Sequence, residues 1–195
     1  MPRWRNWYTH YLEVVAPQGM EVRILSWAQM IILLDGSKGA GKSSVSEILT
    51  KHLDKSVPLS LDNERRALKN QKRNRTELNR EAFENIINKA KGSLGEGRNV
   101  IIDCGLTKER VSILEHLASD TKSKLHKFFL KASYNTLLNR VRFRDKTKGK
   151  NTDIERFDEV FKIIHSKELG DFNVIETEKL SPEGVANAIL RMVNK

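Results

Sequence analysis

One stretch constrains the fold more than any other. The apolar run MIILLD at residues 30–35 enters a glycine-rich turn, Gly36-Ser37-Lys38-Gly39-Ala40-Gly41-Lys42-Ser43, and leaves it in helix-forming sequence over 43–54. A short apolar run ended by turn residues reads as a strand buried on both faces. The turn carries the full Gly-x-x-x-x-Gly-Lys-Ser pattern of a P-loop. Its glycines allow close backbone packing, so that successive N–H groups and the positive end of the following helix can hold phosphate oxygens. In that pattern Lys42 reaches the β- and γ-phosphates and Ser43 ligates magnesium, while Ser44 reads first as a support of the helix. Residues Gly36 to Ser44 are the expected nucleotide-binding set. A glycine-rich match alone would be an ordinary turn; the strand before it and the helix after it argue otherwise.

The remaining chain repeats the alternation. SVPLSL at 56–61, NVIID at 99–103, LHKFFL at 125–130 and FNVIET at 172–177 are further strand candidates. A basic, polar, helix-rich region runs to about residue 92, and Ser181-Pro182 followed by Glu183 predicts an N-capped final helix. Five strands separated by helices predict an α/β fold: a three-layer α/β/α domain around a predominantly parallel sheet, with right-handed crossovers. At 195 residues the chain suits one domain, expected over 21–195. Residues 1–20, with Trp4, Trp7, Tyr8 and Tyr11 beside Arg3 and Arg5, show neither strand nor helix periodicity. They read as a flexible leader, as a segment foreign to the natural protein with Met20 as the biological start, or as an aromatic, basic arm for nucleic acid.

Composition narrows the function classes. Lysine and arginine number 35 against 25 acidic residues, a net charge of +10 that favours an anionic ligand without naming it. The single cysteine, Cys104, rules out an intramolecular disulfide or a cysteine-built metal cluster and suits a cytoplasmic or other reducing intracellular compartment. No charge-free stretch approaches the roughly 20 residues that span a bilayer, and the N-terminus lacks a signal peptide's apolar core, so no membrane partner is expected. The five histidines, at 10, 52, 116, 126 and 165, have no metal-ligand spacing.

Several charged residues are candidates for the chemistry. Asp103 closes the NVIID strand, where phosphates commonly bind; it can hold magnesium directly or through water, orient a catalytic water, or cap the strand end. Asp62 follows the second strand and can orient or deprotonate an acceptor hydroxyl, with Arg65 one turn on to bind the acceptor's negative charge; a solvated cap and a surface arginine are the alternative. Arg66 points elsewhere on the helix. The segment from Arg65 to Arg75 holds six basic and no acidic residues, forming either a cleft wall or an exposed helix. Arg80 and Arg110 are further anion contacts. Arg140 and Arg144, spaced i,i+4, share a helix face from which a closing lid could clamp the transferring phosphate. Arg142 has another phase, and Lys146, Lys148 and Lys150 read as surface charge.

On these motifs, over roughly residues 30–193, the chain resembles small P-loop kinases, especially the polynucleotide kinase and zeta-toxin-like branch. The resemblance implies that the P-loop binds ATP, that Asp62 and Arg65 handle the acceptor, and that Arg140 and Arg144 stabilise transferred phosphate. VIIDCGLTKER at 100–110 is similar to that branch's strand-end Asp followed by an arginine-bearing helix, matching Asp103 and Arg110, with Gly105-Leu106 in place of Thr-Asn. LDNERR at 61–66, NREAFENI at 79–86 and RDKTKG at 144–149 also resemble segments of adenylylsulfate kinases, with Ser60 where that family has an acidic residue. The expectation is an ATP- and Mg2+-dependent kinase. It would transfer the γ-phosphoryl group to a hydroxyl of a polynucleotide (RNA or DNA) or a nucleotide-like acceptor. An adenylylsulfate-kinase-like activity and a regulatory NTPase or ATP-dependent binding module are the alternatives.

Overall fold

A computed structural model describes residues 29–68, 74–149, 151–166 and 168–194. The expected leader lies outside them, as do residues 69–73 of the basic run. Strand β1 (Met30–Gly36) leads through the glycine-rich turn into α1 (Lys42–His52). β2 (Ser56–Ser60), α2 (Leu61–Ala67), α3 (Arg75–Gly95), β3 (Asn99–Asp103) and α4 (Lys108–Asp120) follow. β4 (Lys124–Lys131), α5 (Tyr134–Lys148), α6 (Ile154–His165), β5 (Asn173–Glu176) and α7 (Pro182–Val193) complete the order. The strands lie in the order β2-β3-β1-β4-β5, and every neighbouring pair is parallel.

The reason is visible in β1. Ile31 to Leu34 are fully buried, and alternate residues serve opposite cores. Ile32 and Leu34 pack with Val45 and Leu49 of α1, Leu137 and Val141 of α5, Phe157 of α6 and Ile189 of α7. Ile31 and Leu33 pack with Phe83, Ile86 and Leu94 of α3 and Leu114 of α4. A central parallel strand covered by helices on both faces can carry no polar side until it emerges at its end. The result is the expected three-layer α/β/α arrangement with a five-stranded sheet.

Two helix starts bear on the site. The expected cap of α7 forms, with Ser181 Oγ accepting from Gly184 N at 3.2 Å. In α3, Asn74 and Glu77 build a reciprocal capping box: Asn74 Oδ1 accepts from Glu77 N at 2.9 Å and Glu77 Oε2 from Asn74 N at 3.2 Å. That box starts α3 at Arg75, so the basic run is divided between the end of α2 and the first turn of α3. Strand order reverses at β1, whose neighbours are β3 and β4, and this opens a crevice beyond the carboxyl ends of β1 and β3.

Candidate functional site

The turn after β1 occupies that crevice. Gly36 has φ 142°, and an added Cβ would collide with the Leu130 carbonyl oxygen of β4. Gly39 has φ 89°, and its Cβ would meet the Leu137 carbonyl oxygen at 2.7 Å. Side chains are excluded at both places by backbone. Ala40 N donates to Ser37 O at 3.1 Å, and Gly41 starts α1 with φ 93° and no side-chain cap. The first amides of α1 therefore face the crevice without a competing side-chain acceptor. Lys42 Nζ folds over the loop, donating to Gly36 O at 2.8 Å and to Ser37 O at 3.4 Å.

Ser43 and Asp103 meet here across 60 residues of sequence: Ser43 Oγ donates to Asp103 Oδ2 at 2.7 Å. Asp103 is buried at the end of β3, beside β1. A hydroxyl and a carboxylate in contact at a phosphate loop are hard oxygen donors. Magnesium takes one or two such protein ligands together with substrate phosphates and water, so the pair fits that ion. Among the described residues, no group of three His, Cys, Asp or Glu side chains could hold a metal alone. Cys104, next in the chain, is buried, and desolvation pushes its thiol up to about 12, which keeps it protonated.

A cleft of about 640 Å³ extends from the P-loop to the β2 edge of the sheet. β2 lies two strands from β1, about 10 Å at ordinary strand spacing. Asp62 and Arg65 of α2 line that far end. Arg65 Nη2 donates to Asp62 Oδ1 at 2.6 Å and Nη1 to Asn79 Oδ1 of α3 at 3.2 Å, so the aspartate and arginine expected to act together do touch. The Asp62 side chain keeps 65% of its surface exposed against 26% for Arg65, leaving the carboxylate open to the cleft. Arg66 also lines it and donates to Asn63 Oδ1 at 3.2 Å.

The α5–α6 region supplies the third wall. Arg144 donates through Nε at 3.2 Å and Nη2 at 2.8 Å to Asp145 Oδ1, and lines the cleft. Thr152 ties this segment to the P-loop, accepting from Lys38 Nζ at 2.7 Å. A hydrogen bond from Thr152, then the Arg144 guanidinium, hold the Asp145 carboxyl below its usual range. Phe157, Val160 and Phe161 of α6 make an apolar face. His165 closes it, stacked on Phe161 at 3.9 Å between centroids and with Nδ1 3.5 Å from Ser37 Oγ.

Arg140, Arg80 and Arg110 lie elsewhere. Despite its i,i+4 relation to Arg144, Arg140 donates to Thr177 Oγ1 at 3.2 Å and to Thr177 O at 2.6 Å, beyond the end of β5, and does not line the cleft. Arg80 sits on the outer face of α3, 3.8 Å from Glu84. Arg110 braces the cleft from behind: it donates to Gly105 O at 2.7 Å and lies 5.0 Å over the Phe83 ring. Ser44 is exposed in the first turn of α1. Sequence reasoning missed Arg156 of α6 and did not single out Arg75, both of which line the cleft. The available signal was their position in the first turn of a helix, where a positive side chain opposes the helix dipole.

A family model described as an AAA domain matches residues 31–162, from β1 through most of α6. The chain belongs to this AAA-domain family. A search of curated proteins gives no match. Among solved structures, the domain is similar to an APS kinase from Mycobacterium tuberculosis, solved with AMPPNP and APS. Identity there is 15%, with 86% of this chain and 99% of that one covered and a TM-score of 0.63. It is similar to a tunicamycin resistance protein from Deinococcus radiodurans at 20% identity, with coverages of 85% and 95% and a TM-score of 0.62. A third is the Pnkp1/Rnl/Hen1 RNA repair complex, at 18% identity over 75% of this chain and 47% of that one, with a TM-score of 0.64. Identities this low establish a shared fold alone.

Proposed function

We propose that this AAA-domain protein is an ATP-dependent kinase that transfers the γ-phosphoryl group to a hydroxyl of a polynucleotide or nucleotide-like acceptor. The observation that carries the reading is one cleft with a phosphate-binding loop at one end and a touching Asp62–Arg65 pair at the other. Hydrolysis alone needs no second polar end.

The P-loop amides would grip the phosphates of ATP, and Lys42 would leave the Gly36 carbonyl to neutralise charge on the β- and γ-phosphates. Ser43 and Asp103 would hold magnesium, which supplies charge neutralisation at those phosphates when bound. Asp62, oriented by Arg65, would accept the proton of the acceptor hydroxyl as its oxygen bonds to the γ-phosphorus and the bond to ADP breaks. Arg144, which lines the cleft, would stabilise the transferring group. Arg140 would join it only by releasing Thr177, and Arg80 and Arg110 would reach an acceptor only if it extended beyond the cleft.

An acceptor of mononucleotide size, as the APS kinase likeness suggests, is a second reading. It is favoured by the Phe157–Phe161 face, which suits a planar ring. Transfer of terminally labelled phosphate from ATP to 5′-hydroxyl RNA and to small nucleotides, with minus-acceptor and Lys42→Ala controls, tests both. Acceptor-dependent labelling lost in Lys42→Ala supports a kinase. Phosphate release indifferent to every acceptor selects the regulatory NTPase.

A further inference from the structure

One hydroxyl in the cleft is equipped for a reaction that the proposed function does not use. Thr152 lies in the segment between α5 and α6 and lines the cleft together with Ser37, Lys38 and Lys42 of the P-loop. Its Oγ1 accepts from Lys38 Nζ at 2.7 Å and from Arg144 Nη2 at 3.4 Å. Its own hydrogen is donated to the Asp145 carboxylate. One oxygen therefore holds two cationic donors and a carboxylate acceptor, and all four residues face the cavity that contains the phosphate loop.

These partners fix the orientation of the hydroxyl. Lysine and arginine can only donate, so they occupy the oxygen's lone pairs and leave its hydrogen to point at Asp145. Asp145 is buried, and the Thr152 hydrogen bond followed by the Arg144 guanidinium keeps its carboxyl below the usual range, hence ionised near neutral pH. An ionised carboxylate in contact with a hydroxyl is the arrangement from which phosphoryl transfer to an alcohol begins. The ordinary task of a threonine ahead of a helix, capping, falls instead to its neighbour: Asp153 Oδ1 accepts from Arg156 N at 3.1 Å and starts α6. A structural tie between this segment and the P-loop would need the Lys38 bond and no carboxylate.

The two cations are those that a transferring phosphate would meet. Lys38 belongs to the loop whose amides would hold the phosphates of ATP, and Arg144 lines the same cleft. Both can exchange their bond to Thr152 for bonds to γ-phosphate oxygens, which are the stronger acceptors because they carry charge. That exchange frees the lone pairs of Oγ1 for attack while its hydrogen stays on Asp145.

We infer that Thr152 is a site of self-phosphorylation, the chain transferring the γ-phosphoryl group of ATP to its own Oγ1 with Asp145 taking the proton. The bond from Oγ1 to the γ-phosphorus forms as the bond from that phosphorus to the β–γ bridging oxygen breaks. The electron pair of the broken bond leaves with ADP, and the hydroxyl proton passes to the Asp145 carboxylate and on to solvent. The phosphothreonine formed carries nearly two negative charges near neutral pH and keeps Lys38 and Arg144 as partners. The inference rests on the kinase reading for the phosphoryl donor, whereas the external acceptor of that reading plays no part in it.

The test incubates the full chain with magnesium and γ-labelled ATP, without any acceptor, and locates the added phosphate by peptide mass spectrometry. Phosphate is expected on Thr152, at a rate per chain that does not change on dilution of the protein. Thr152→Ala should lose the label and Thr152→Ser should carry it at the same position. Lys42→Ala should lose it as well, which assigns the transfer to this chain's own P-loop. Asp145→Asn should slow labelling about 10²-fold or more, the scale for a lost general base. Binding of AMPPNP by the Thr152 and Asp145 variants, followed by calorimetry, reports that they fold. Absence of phosphate from Thr152 overturns the inference, as does labelling that survives Lys42→Ala or proceeds at the parent rate in Asp145→Asn. Phosphate on Thr152 with no labelling of RNA or nucleotides keeps this site and loses the external acceptor. Labelled acceptors with Thr152 unmodified do the reverse.

Discussion

The two ends of the cleft are built from different materials. The P-loop end is backbone: glycines whose φ angles and close carbonyl neighbours admit no side chain, a buried Ser37, and a buried strand-end Asp103, all seated on the doubly covered centre of the sheet. The far end is side chain. It consists of an exposed Asp62 on a seven-residue helix and arginines brought in from three separate helices. A phosphate loop tolerates little variation because its ligands are amides fixed by chain geometry. An acceptor site made of side chains can change its ligand by substitution without disturbing the sheet. On the proposed kinase reading, phosphate binding would be a property of the scaffold and acceptor choice a property of what hangs from it.

The largest effect should come from the backbone end. Lys42→Ala should lower ATP turnover about 10²- to 10³-fold, the scale for one lost charge-stabilising donor, with a loss of about 1 kcal/mol in thermal stability as the carbonyls of buried Gly36 and Ser37 lose the amine. Comparing single-turnover rates with a melting curve checks both halves. At the side-chain end, Asp62→Asn should reduce acceptor-dependent transfer by about 10²-fold while the KM for ATP stays put. A parallel rise in that KM would dissolve the distinction between the two ends.

Smaller effects fall on stability. Gly39→Ala must move the Leu137 carbonyl or distort the loop, and should cost about 1–3 kcal/mol in urea unfolding. Arg65→Ala, which removes a partly exposed ion pair, should cost about 1 kcal/mol or less. If the two costs were alike, rigidity would not separate the ends. The smallest effect is in the pH dependence. Asp145 has a folded pKa below its ordinary 3.8, so its contribution is present above that value and fades as pH falls through the lower folded one. Asp145→Asn should lower stability near neutrality, where that contribution is present, and flatten the acid limb, the two curves converging below the folded pKa.

Much of this was legible in the chain before any coordinates. Residues 30–35 could only be a buried strand, because a run of apolar residues with no polar alternate has no solvent face to offer. The P-loop was legible for a related reason: phosphate binding by amides requires glycines at fixed offsets, and those offsets are local. That Asp62 and Arg65, one turn apart on one helix, come into contact was readable too. Arg140 and Arg144 show where such reasoning stops. Their spacing places them on one helix face, but not what lies opposite, and the fold gives Thr177 to one and Asp145 with the cleft to the other.

By itself, then, the sequence determined the elements, their parallel packing and the phosphate loop, since each follows from near neighbours and from the periodicity of burial. Only the tertiary structure decided which charges share a space. Arg75 and Arg156 stand 81 positions apart, and no local pattern links them. They converge because α3 and α6 both begin at the rim of one cleft, and the field between two charges depends on their separation in space and is blind to their separation along the chain.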